Sequence, residues 1–197
     1  MNLNAIIQSI NNWKAICHDG DALLDVLGQG DCFLYRFESN ATQHESVHAY
    51  PGIHNNELMF FMIPSKYDTE QYESELDKYI TVCPVVPSPP TSSHRILEAE
   101  AKERIDRWKE NYKSWVPKQA ETSDGIFLAF NIGVEDFEVA DTVLNFALKL
   151  DSNPTKYKAD MIVTNPTVTE VFYDDFVTPV PPYGATVSAN SFYLMQL

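Results

Sequence analysis

Residues 44–63 read His44-Glu45-Ser46-Val47-His48-Ala49-Tyr50-Pro51-Gly52-Ile53-His54-Asn55-Asn56-Glu57-Leu58-Met59-Phe60-Phe61-Met62-Ile63, and the fold is decided there. Val47, Ala49 and Ile53 alternate with polar neighbours, and Leu58 to Ile63 is an unbroken apolar run. His54-Asn55-Asn56-Glu57 between them supplies a hairpin turn, since asparagine tolerates the backbone a two-residue loop needs. The stretch therefore predicts an antiparallel pair of strands. A second hairpin is expected where Val143 to Leu150 runs into Asp151-Ser152-Asn153-Pro154 and Ala159 to Thr164 returns.

Each hairpin is preceded by an amphipathic helix and an apolar segment. Leu3, Ile6, Ile7, Ile10, Trp13 and Cys17 share one face at spacings of three and four, which predicts a helix over 3–17. Ile96, Ala101, Ile105, Trp108, Tyr112 and Trp115 do the same from a Ser92-Ser93 cap, predicting a helix over about 94–115 with Pro117 just beyond its end. The apolar segments are 32–37 and 126–132, the first entered through a Gly28-Gln29-Gly30 turn.

The two sets of elements also resemble each other in sequence. Ile10-Asn11-Asn12-Trp13-Lys14 returns as Ile105-Asp106-Arg107-Trp108-Lys109, and Val82-Cys83-Pro84-Val85-Val86-Pro87 as Val177-Thr178-Pro179-Val180-Pro181-Pro182, both 95 residues later. Asp31 to Phe37 matches Asp124 to Phe130 at an offset of 93. The reading is an α+β protein made of two tandem copies of a helix plus antiparallel hairpin/sheet unit, with a possible pseudo-twofold relation. The copies are residues 1–83 and 95–197, joined by a proline-rich linker at 84–94.

Composition narrows the function. Lys and Arg number 14 against 28 Asp and Glu, a net charge of −14, so a nucleic acid or an anionic membrane surface is repelled on approach. The acids at 68, 70, 73, 75 and 77 gather around a helix start expected at Thr69 and read as a solvated face. No apolar run reaches the length of a membrane helix, and the first residues lack a signal-peptide pattern. Three cysteines without C-x-x-C spacing fit reduced thiols. The default expectation from those features is a cytoplasmic chain.

The order of helix, hairpin, Phe172-Tyr173-Asp174-Asp175 and the terminal Thr178-Pro179-Val180-Pro181-Pro182 resembles a group of small uncharacterised proteins common in Bacteroidota. That resemblance covers one copy and implies a fold and a compartment. The stretch 44–54 is similar to the zinc-binding motif of metzincin metallopeptidases, H-E-x-x-H with a third histidine. On a helix, the resemblance would make His44, His48 and His54 zinc ligands and Glu45 the base that takes a proton from the metal-bound water. The chain departs from that family in carrying Pro51 where its glycine stands, the glycine being displaced to Gly52. The alternation of Val47, Ala49 and Ile53 suits a strand, on which His44 and His48 would lie about 13 Å apart.

The leading expectation is a non-enzymatic interaction or scaffold protein, its partner another protein or a second copy of itself, with no cofactor. The alternatives are a zinc-dependent metallopeptidase using His44, Glu45, His48 and His54, and a small-ligand binder in the cleft between the copies.

Overall fold

Asparagine at position 2 opens the first helix: its side chain accepts from Ala5 N at 2.9 Å, satisfying a backbone donor that the helix start leaves without a partner. The computed structural model describes residues 1–37, 46–87, 98–151, 157–167, 169, 171–175, 177–180 and 192–197. Helix α1 spans Leu3–Ala15, and α2, capped by Asp19, spans Gly20–Leu27. Strands β1 (Cys32–Arg36), β2 (Ser46–His54), β3 (Glu57–Pro64) and β4 (Thr81–Val86) precede α3 (Glu98–Ala120). After it come β5 (Ala129–Gly133), β6 (Asp141–Leu150), β7 (Tyr157–Pro166), β8 (Val171–Asp174) and β9 (Val177–Val180).

Both expected hairpins form. β2 pairs with β3 from Val47↔Pro64 to His54↔Glu57, and Asn55 and Asn56 turn the chain at φ 50° and 66°, the left-handed pair a two-residue loop requires. β6 pairs with β7 from Val143↔Thr164 to Leu150↔Tyr157.

The nine strands make one antiparallel sheet in the order β8-β7-β6-β1-β4-β3-β2-β5-β9. It curls until β7 touches β9, so the protein is α+β with a nearly closed sheet. Its inside is packed with rings: Phe33 stacks on Phe60 at 4.3 Å, and Phe60 meets Phe146 at 5.7 Å and Phe130 at 6.4 Å. Trp13, Leu23, Leu27, Trp108 and Trp115 from the helices join the same core. Burial of this much aromatic surface is the main force holding the strands together.

Helices α1 and α3 use the sheet in matching ways. β2 pairs with β5 only as far as Ala49, and α1 packs against β2, where Asn12 Nδ2 donates to Ile53 O at 3.0 Å. β6 pairs with β1 only as far as Asn145, and α3 packs against β6, where Arg107 Nη1 donates to Leu148 O at 2.8 Å. Asn12 and Arg107 are 95 residues apart, as are Ile53 and Leu148. Ile6 and Ile10 bury outside the sheet while Trp13 reaches the inner core; Ala101, Ile105 and Trp108, each 95 residues later, divide in the same way. The neighbour relations β1-β4-β3-β2 of the first half likewise have counterparts in β5-β9 and β7-β6.

The details depart from expectation in four places. Gly20–Leu27 forms helix α2, where the sequence pattern led to no expected helix. α3 continues through Pro117 to Ala120, since Val116 and Ala120 are buried and the proline ring lies against Gly20, where a Cβ would come within 2.9 Å of Pro117 Cα. Residues Glu70–Lys78 coil as a 3₁₀ helix behind Thr69, which offers no side-chain cap. Asp68, read as part of a solvated acidic face, is fully buried. Ser92, Ser93 and the segment 88–94 of the expected linker lie outside the described residues.

Candidate functional site

The histidine motif is the first place to look. His44 and Glu45 lie outside the described residues, and Ser46–His54 is strand β2. His48 and His54 sit six residues apart on the same face, about 20 Å along the strand at the usual rise. Each has its own neighbours. His54 Nδ1 lies 3.4 Å from Ser9 Oγ, whose hydroxyl donates to Ala5 O at 2.6 Å. His48 Nδ1 lies 2.6 Å from Asp68 Oδ2. The structure does not bring the two rings together.

What surrounds His48 is a buried polar cluster that the sequence reading missed. Tyr50, two residues along the same face, donates its hydroxyl to Asp68 Oδ2, and Leu194 N donates to Oδ1 at 3.0 Å. Burial first, then the charge of Asp68 and this hydrogen bond, raises the Tyr50 phenol well above its ordinary range, so it remains a donor. Phe192 stacks on the His48 ring at 4.1 Å. Cross-strand from His48 stands Asn131, whose Oδ1 is buried with no hydrogen-bond partner among the described residues. The cluster fastens the C-terminal turn to the outside of the sheet, and Phe192 closes it over. Nothing in the local pattern marked Asp68: it is the first acid of an acidic run and differs from the others only in following β3 closely.

A second polar cluster lies on α3. Arg104 Nη1 is 3.2 Å from Asp160 and 2.5 Å from Asp175, its Nη2 bonds Glu100, and Lys149 reaches Asp175 at 3.0 Å. Burial, opposed by Lys149 and Arg104, pushes the Asp160 carboxyl up to about 6. Among the described residues no three His, Cys, Asp or Glu side chains gather as a metal site would require. Also among them, no helix is long and apolar enough to cross a membrane.

One open feature is a groove between α2 and α3. Two adjoining hollows of about 470 and 430 Å³ share Gly28, Gln29 and Tyr112. One wall is the end of α2 and the turn after it, with Leu24, Asp25, Leu27 and Asp31; the other is α3, with Trp108, Lys109, Tyr112 and Lys113, and Pro87 borders one end. Tyr112 stacks on Trp108 at 5.5 Å with the rings 15° from parallel. Gln29 is fixed by donating to Asn56 O and accepting from Leu58 N, which ties the turn to the β2–β3 hairpin. Gly30 is needed for that turn to close on β4, since a Cβ there would come within 2.4 Å of Val86 O. Volumes of this size are ordinary for ligand sites.

Comparison with protein-family models, with curated proteins and with solved structures finds no match for this chain.

Proposed function

We propose that the chain is a non-catalytic binding protein formed by internal duplication, and that the groove between α2 and α3 is its binding site. The observation carrying this reading is the groove's position: residues 24–31 come from the first half and 108–113 from the second, so the hollow exists only where the halves meet. The 95-residue correspondence of Ile6, Ile10, Asn12, Trp13 and Ile53 with Ala101, Ile105, Arg107, Trp108 and Leu148 supports the duplication. Three free cysteines, Cys17, Cys32 and Cys83, suit a reducing compartment, and we place the protein in the cytoplasm.

The test is a small-molecule fragment screen by ligand-observed NMR, followed by mapping of amide shifts on labelled protein. Binders are expected to shift residues 24–31 and 108–113 together. A screen without binders, or one whose binders all map elsewhere, would remove the groove from consideration.

A further inference from the structure

The groove's carboxylates, Asp25 and Asp31, stand on the α2 wall and its lysines, Lys109 and Lys113, on the α3 wall. Helix α2 has Asp25 near its C-terminal end and no basic residue in its last turn, so a carboxylate stands where the helix already presents its negative end. Such an arrangement disfavours the helix and is relieved by a cation. The other groove carboxylate, Asp31, already has one, with Lys109 Nζ at 3.5 Å. Among the described residues Asp25 makes no ion pair. On the opposite wall the Tyr112 ring is backed by Trp108, and Lys113 Nζ lies 6.0 Å from the Tyr112 centroid, so the ring already receives an ammonium from its own helix. The chain's net charge of −14 concentrates cations around it.

Resting on the groove reading above, we propose that the hollow lined by Leu24, Asp25, Gly28, Gln29, Tyr112 and Lys113 binds a primary alkylammonium group. The ammonium takes the place of Lys113 over Tyr112, facing Asp25 and the carbonyl end of α2, while the alkyl chain lies along Leu24. Lys113 is exposed and swings into water at little cost.

Amide-shift titrations of the folded protein test this with three probes: cadaverine, a blocked peptide with one internal lysine, and glutarate as the anionic control. Saturable shifts at residues 24–29 and 112–113 are expected with an ammonium probe and none with glutarate. Asp25→Asn should weaken binding about two- to five-fold, and Lys113→Ala should strengthen it by a similar factor. Both sites are exposed, so the variants fold. Binding by cadaverine alone identifies a free amine, and binding by the peptide identifies a partner's lysine. Shifts with glutarate, or unchanged affinity in Asp25→Asn, would overturn the proposal. Neutral fragments that fill the groove while neither ammonium probe does would sink the cation assignment and leave the groove reading standing; silence from fragments and probes alike would sink both.

Discussion

Replacing Asp68 by alanine removes one carboxylate and strands three donors at once: the His48 ring, the Tyr50 hydroxyl and the Leu194 amide. A buried donor left without its acceptor costs about 1 to 3 kcal/mol. With Asp68 fully buried, the variant should lose about 4 kcal/mol, a large share of the 5 to 15 kcal/mol typical of a domain. Urea unfolding followed by tryptophan fluorescence reads this as a lower midpoint at constant slope. The informative comparison is the triple variant Asp68→Ala, His48→Val, Tyr50→Phe. It deletes two of the stranded donors together with their acceptor, and it should be at least about 2 kcal/mol more stable than the three single losses added. Hydrogen exchange of the Leu194 amide should quicken in both. A loss below about 1 kcal/mol in Asp68→Ala, or strict additivity in the triple, would mean that the cluster does not hold the C-terminal turn.

Gly52→Ala puts a Cβ 2.6 Å from Phe61 and 3.0 Å from the Ser9 backbone, so α1 must lift from β2. The expected loss is about 2 kcal/mol in the same urea assay. Ala147 carries a methyl group buried under α3 with Ala101 and Ile105, and Ala147→Gly should cost about 1 kcal/mol. Burial pushes the Asp160 carboxyl up to about 6, well above the usual carboxylate range. The stability from its protonated form is complete below about pH 4 and is lost as pH rises through 6. Asp160→Asn should therefore gain on the wild type by about 3 kcal/mol between pH 4 and 7, measured by unfolding at both; parallel stability curves would count against the raised carboxyl. Arg107→Ala should weaken the hold of α3 on β6 and expose the Leu148 carbonyl, seen as a loss of about 1 to 2 kcal/mol.

The hairpins were legible because their signals are local: alternation in 47–53, an apolar return in 58–63 and asparagines in the turn all act within a few residues. Helices α1 and α3 were legible through spacing, with Trp13 and Trp108 on their buried faces, whereas the eight residues of α2 are too few to show a period. What pairs with what across the sheet was not legible. β1 finds β6 and β2 finds β5 through backbone hydrogen bonds that any apolar strand could make. Asp68 was misread because burial is set by Phe192 and Leu194, which arrive from the other end of the chain. The groove had no sequence signal of its own, its walls being unremarkable residues until α2 and α3 stand side by side.

The interleaved sheet has a consequence for how the protein is made. On a ribosome adding residues at about 5 to 20 per second, β1 emerges long before β6, its partner at Asp141–Asn145. β2 likewise waits for β5. Throughout that interval the first half presents two unpaired strand edges, each able to recruit another nascent chain. Two first halves meeting through β1 and β2 would occupy the edges that β6 and β5 cover in the finished molecule. Crowded polysomes are thus the setting in which this architecture is most exposed to cross-pairing, and synthesis rate through residues 88–141 governs how long that exposure lasts.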